Sequence, residues 1–85
     1  MGGTIRILCF AMAREATGHA LLEWPAPSEG VSVRDLLQQL CEKYPRLLPV
    51  LRVSRLVRNG RYLGKATGRL RAGDEFAIHP PYSGG

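Results

Sequence analysis

The chain has 85 residues, 45% of them hydrophobic and 22% charged, with 12 basic side chains against 7 acidic ones and a net charge of +5. That length supports one domain with a modest core, and no run reaches the ~18 uninterrupted apolar residues of a membrane span. The positive excess invites an acidic protein or a nucleic acid as partner.

Met1-Gly2-Gly3-Thr4 lacks the basic start and apolar run of a secretory signal, which predicts a cytoplasmic protein. From Thr4 to Phe10 the residues alternate, Ile5, Ile7 and Cys9 against Arg6, Leu8 and Phe10. This is a strand. Leu8 and Phe10 make its second face apolar too, so it is central in a covered sheet or carries a binding patch. Ala11 to Thr17 is rich in helix formers, and Gly18 caps one or two helical turns. His19 to Trp24 reads as a second strand, stopped by Pro25 and Pro27, and pairs antiparallel with the first.

Ser32 opens the main helix, with Asp35 three residues on as a capping-box variant. Val33, Leu36, Leu37, Leu40, Cys41 and Tyr44 form one apolar stripe, and Pro45 ends it. A short helical loop around Pro49 follows. Leu56-Val57-Arg58 and Arg61-Tyr62-Leu63 flank Asn59-Gly60, the strongest short hairpin signal. Gly64 to Asp74 reads as loop and turn, and Glu75 to His79 as the last strand.

Strand pairs plus one amphipathic helix give an α+β layer. The ubiquitin-like β-grasp fold satisfies this order: a mixed sheet covered on one face by one main helix, with the first and last strands as central neighbours. The expected division is a body over 1–79 and an extended tail over 80–85.

The tail reads Pro80-Pro81-Tyr82-Ser83-Gly84-Gly85. Each proline fixes φ and pushes its predecessor towards extended backbone, so the stalk is stiff. The glycines lack a Cβ and make a thin tip that threads a narrow slot. At ~3.3 Å per extended residue the tail reaches roughly 20 Å from the body. A frayed terminus is the plainer alternative.

The sequence holds no Ser/His/Asp set, no phosphate loop and no metal-ligand spacing. His19 and His79 are isolated, and Cys9 and Cys41 fall in core-facing registers as structural thiols. Asp74-Glu75 reads as a turn residue and an exposed strand residue. Arg52, Arg55, Arg58 and Arg61 recur every third residue, which scatters them over both faces of a hairpin. No aromatic platform interleaves them, which argues against nucleic-acid binding.

Phe10-Ala11-x-x-Arg14-Glu15-x-x-Gly18, Asn59-Gly60, and Leu70-x-x-Gly73-Asp74-Glu75-Phe76-Ala77 running into Pro80-Pro81-x-Ser83-Gly84-Gly85 resemble the MoaD/ThiS family. The likeness is to its MoaD branch, the small sulfur-carrier subunit of molybdopterin synthase, and it spans essentially the whole chain. It implies that Gly85 is adenylated by a MoeB-like enzyme using ATP. A persulfide sulfur then converts it to a thiocarboxylate. The tail would enter a MoaE-like large subunit, in a heterotetramer, and deliver sulfur to cyclic pyranopterin monophosphate. Acid–base groups would belong to that partner, and this chain would hold no tightly bound cofactor or metal. Gly84 would give clearance, and Pro80, Pro81 and Ser83 would keep the tail extended. Phe10, Arg14, Tyr62 and His79 are candidates for the docking surface. Two positions depart from the family pattern: His79, often apolar there, and Tyr82, often small and branched. A carrier or modifier for tRNA thiolation, thiamin or cysteine synthesis shares the tail chemistry. A basic nucleic-acid module remains as the alternative of a different class.

Overall fold

In the computed structural model, which describes residues 3–81, strand β1 (Gly3–Cys9) buries Ile5, Ile7 and Cys9 on one side. Helix α1 (Met12–Thr17) follows at once and stops at Gly18, whose φ of 80° is the left-handed cap that glycine adopts without a Cβ clash. Strand β2 (Leu21–Ala26) returns antiparallel to β1, placing Leu22 opposite Ile7 and Trp24 opposite Ile5. The expected strand ended before Pro25. The observed strand starts two residues later than expected and runs through Pro25 to Ala26. β2 is an edge strand, where a missing N–H leaves no ladder rung empty.

Helix α2 (Val33–Lys43) starts as the sequence implies, with the Asp35 N–H donating to the Ser32 hydroxyl at 3.0 Å. Tyr44 leaves helical geometry because Pro45 disfavours it there. Val33, Leu36 and Leu40 are fully buried, while Leu37, Cys41 and Tyr44 sit at the margin of the stripe. The short α3 (Leu47–Leu51) buries Leu47 beside them. Cys41 is thus a correction. It is half-buried in a groove with Leu37, Leu48 and Leu51, whereas Cys9 is buried as expected.

Strands β4 (Arg55–Arg58) and β5 (Arg61–Leu63) form the Asn59-Gly60 hairpin, both turn residues having positive φ, 47° and 82°. The last strand, β7 (Glu75–His79), lies between β1, parallel, and β4, antiparallel. The sheet order is β2-β1-β7-β4-β5, so the first and last strands are central neighbours, as expected of a β-grasp. All three helices contribute to one core with the sheet: Ala13, Leu36, Leu40 and Leu47 meet Ile5, Ile7, Phe76 and Ile78.

A second, two-stranded sheet went unread as loops. β3 (Val31–Ser32) pairs antiparallel with β6 (Arg69–Leu70). Its entry is tight, since a Cβ on Gly30 would lie 2.7 Å from the Leu70 carbonyl oxygen. The pair anchors the start of α2, where the Val33 N–H donates to the Gly68 carbonyl at 3.0 Å.

Asp74 ties the hairpin to the start of β7. Its carboxylate accepts from the Arg71 N–H at 2.8 Å, Asn59 Nδ2 at 3.1 Å and Arg58 Nη2 at 3.4 Å. Asn59 Oδ1 in turn accepts from the Glu75 N–H at 2.8 Å. Partial burial works to raise the Asp74 pKa, but the Arg71, Asn59 and Arg58 contacts outweigh it and hold the group below its ordinary value. A depressed folded pKa stabilises the fold above the unfolded pKa of about 4, and the contribution fades as pH falls through the folded value. Asp74→Ala is expected to cost about 1–3 kcal/mol at neutral pH, through lost charge-assisted hydrogen bonds. Urea unfolding at falling pH checks this: the gap between wild type and variant should narrow in the acid range.

Candidate functional site

The sheet face opposite the helices carries the even residues of β1 and their neighbours. Register aligns Leu21, Leu8, Ala77, Val57 and Tyr62 in one row across all five strands. Ala77 is shielded by that row, while Leu21 and Tyr62 at its ends are 43% and 67% exposed. On a small domain, such an apolar strip is a candidate interaction surface.

The next row lies where the chain leaves the sheet. Phe10 and His79 stack with ring centroids 4.4 Å apart and planes 26° apart. Arg55 is opposite His79 in the β4–β7 ladder, and its guanidinium lies 5.6 Å from the Tyr62 ring centroid. Val53, Arg55, Tyr62, His79, Pro80 and Pro81 line a hollow of about 360 Å³. The root of the tail therefore forms one wall of this surface.

Phe10 is held there by the β1–α1 turn. The Ala13 N–H donates to the Phe10 carbonyl at 2.9 Å, and Ala11 has φ 48° and ψ −118°. These are the angles of a type II′ turn, which favours glycine at that position. A Cβ there stores strain, so Ala11→Gly is expected to raise stability by about 1 kcal/mol, net of the added chain entropy. Thermal unfolding of the two proteins measures it, and a lower midpoint for the variant would contradict the assigned turn.

Of the docking candidates, Phe10, Tyr62 and His79 are brought together on this face. Arg14 is exposed on α1 and lines a separate hollow with Ala11, Met12, Glu15 and Gly18. Pro80 and Pro81 leave the end of β7, whereas Tyr82, Ser83, Gly84 and Gly85 lie outside the described residues. Arg55 and Val53 also line the hollow; by sequence Arg55 stands only in a series scattered over both hairpin faces, and neither residue is assigned to the site there. The signal was present: counting back from Asn59-Gly60, Arg55 shares the Val57 face.

Neither thiol is activated. Burial pushes the pKa of Cys9 up, a Thr17 hydrogen bond opposing it in part, and burial does the same at Cys41. A thiol held protonated is a poor nucleophile. Among the described residues, no three His, Cys, Asp or Glu side chains gather as a metal site, and no helix is long and apolar enough to cross a membrane.

The fold is that of a β-grasp protein whose uncovered sheet face ends where Pro80 and Pro81 leave β7. The chain belongs to the ThiS family, whose model matches residues 7–85. It is 31% identical to the molybdopterin synthase sulfur carrier subunit of Dictyostelium discoideum, over the full length of both chains. It is 38% identical to the subunit of that name from Arabidopsis thaliana, over 95% of this chain and 82% of that one. Among solved structures, the small archaeal modifier protein 1 of Methanosarcina acetivorans superposes with a TM-score of 0.75 at 29% identity, over 100% of this chain and 99% of that one.

Proposed function

We propose that this chain is the sulfur carrier of molybdopterin synthase, with 1–79 as its body and 80–85 as the arm that delivers sulfur. The observation that carries the reading is end-to-end similarity to carriers of that name, in a match that runs through Gly85. On this reading sulfur is mounted on the terminal carboxyl of Gly85, which no side chain obstructs.

A carboxylate is a poor electrophile. Attack of its oxygen on the α-phosphate of ATP, in a MoeB-like adenylating enzyme, releases pyrophosphate and leaves an acyl adenylate. A persulfide sulfur then displaces AMP, and a second thiol reduces the acyl disulfide to the thiocarboxylate. In a MoaE-like large subunit that sulfur attacks an electrophilic carbon of cyclic pyranopterin monophosphate, and the carbon–oxygen bond at that carbon breaks, its oxygen leaving with a proton supplied by the large subunit. Water cleaves the acyl–sulfur bond and regenerates the Gly85 carboxylate. Two carriers docked on a dimer of large subunits, a heterotetramer, would supply the two sulfurs of a dithiolene. ATP is bound by the adenylating enzyme, and this chain holds no cofactor of its own. The need for reduced thiols suits the cytoplasm.

Docking uses the face bearing Phe10, His79 and Tyr62, while Arg14 stands apart in its own hollow on α1. The reading is tested by combining the thiocarboxylated chain, the large subunit from the same genome and the pterin precursor. Dithiolene product is expected; failure with an active control carrier in the same assay would reject the reading. A second reading, a protein modifier, is favoured by the Methanosarcina neighbour. It predicts isopeptide bonds from Gly85 to lysine amines in lysates of the native host.

A further inference from the structure

Charge differs between the two ends of β7. At the start of that strand two cations are matched, Arg6 on the helix-free face and Arg58 on the other, where it lies opposite Phe76 in the ladder. Arg6 pairs with Glu75 at 3.6 Å, and Arg58 with Asp74 at 3.4 Å. At its other end, where Pro80 and Pro81 leave, Arg55 is exposed and pairs with no carboxylate among the described residues. Its guanidinium is nonetheless positioned, lying over the Tyr62 ring at 5.6 Å. An aromatic face orients an arginine while leaving its N–H edges free for an acceptor.

The surroundings complete the picture. Tyr62 is 67% and Val53 54% exposed, and with His79, Pro80 and Pro81 they rim the hollow that Arg55 lines. An oriented arginine inside an apolar and aromatic rim has the composition of an interface hot spot. The chain carries a net charge of +5, so an acidic surface is its electrostatic complement.

We propose that the protein gripping the tail presents a carboxylate to Arg55, so that docking combines the apolar Phe10 face with an ionic clamp at the tail root. This rests on the docking surface under Proposed function and adds the partner's chemistry to it. The occupant is an acidic protein rather than a nucleic acid because the row beside Arg55 is apolar. Leu21, Leu8, Ala77 and Val57 offer a phosphate backbone no cation along that row, and Lys65, which shares a neighbouring hollow with Arg55 and Tyr62, is one further charge rather than a track. A carboxylate meeting Arg55 inside the rim is shielded from water once the partner seats, and truncating such a pair weakens binding far more than losing an exposed surface pair.

The test is calorimetry of the full chain with the large subunit from the same genome, at low and high salt. Wild-type affinity should fall as salt rises. Arg55→Glu should weaken binding by roughly a hundredfold or more, Arg55→Ala less, and Arg55→Lys should recover part of the loss. The salt slope of Arg55→Ala should be shallower than that of wild type. Phe10→Ala should weaken binding with the wild-type salt slope. Thermal unfolding confirms that each variant is folded, as the exposure of Arg55 leads us to expect. If Arg55→Glu and Arg55→Ala bind like wild type while Phe10→Ala fails, the clamp is wrong and the docking face stands. If Phe10→Ala and Arg55→Glu both bind like wild type, or wild type does not bind, the docking reading falls and the clamp with it. A single-stranded RNA oligomer is the further probe. Tighter binding to it than to the subunit, lost in Arg55→Glu, would overturn the acidic-protein assignment.

Discussion

Removing Gly84 and Gly85 is expected to abolish sulfur transfer while leaving a detectable complex with the large subunit. The two halves of this result have different physical origins. Two glycines bury little surface, so most binding free energy must come from the sheet face, where Phe10, Leu8 and Tyr62 offer aromatic and aliphatic area. In the proposed chemistry the reacting acyl carbon, by contrast, belongs to Gly85, and without that residue no sulfur would be mounted. Gly84→Val sharpens the point. It keeps the terminal carboxyl and adds volume without charge at a position where a slot must admit the chain. Its transfer rate should drop by orders of magnitude with affinity nearly unchanged. Single-turnover transfer and calorimetry on the same preparations separate the two effects. Wild-type transfer by Gly84→Val would mean that the tail threads no narrow slot.

Replacing Phe10 should fail in the opposite way. The ring is 42% exposed and stacked on His79, beside the tail root, so it is poised to be covered by a partner. Phe10→Ala is expected to weaken the complex by roughly ten- to a thousandfold, and Phe10→Arg further, because a central aromatic anchor contributes a few kcal/mol. Transfer at saturating partner should survive in Phe10→Ala, since the tail is intact. The core lies on the other side of the sheet, so the unfolding midpoint should move little. Binding as tight as wild type in a folded Phe10→Ala protein would place the docking surface elsewhere.

Much of this was legible before the structure, and for identifiable reasons. The Ser32 cap, the stripe from Val33 and the stop at Pro45 are local signals, and α2 obeys all three. Asn59-Gly60 set the hairpin register through its own turn geometry. The apolar second face of β1 was read as a central strand or a binding patch; β1 is central, and its uncovered side carries Leu8, with Phe10 just beyond the strand. What escaped depends on distant partners. Val31-Ser32 and Arg69-Leu70 are too short to show a period, and only pairing with each other makes them strands. Pro25 looked like a strand breaker because its edge position is a property of the sheet. Cys41 looked buried because a helical stripe does not reveal that α3 leaves its margin open. Arg55 was hidden in a period-three series, and only the ladder separates it from Arg58, which is already paired with Asp74.

The central claim is that Gly85 carries the sulfur. Its most direct test is intact and fragment mass spectrometry after incubation with the matching adenylating enzyme, ATP and an isotopically labelled sulfur source. The whole-chain mass should rise by the difference between sulfur and oxygen, with the label confined to the fragment ending in Gly85. An unchanged mass alongside an active control carrier, or label on Cys9 or Cys41 instead, would contradict the account.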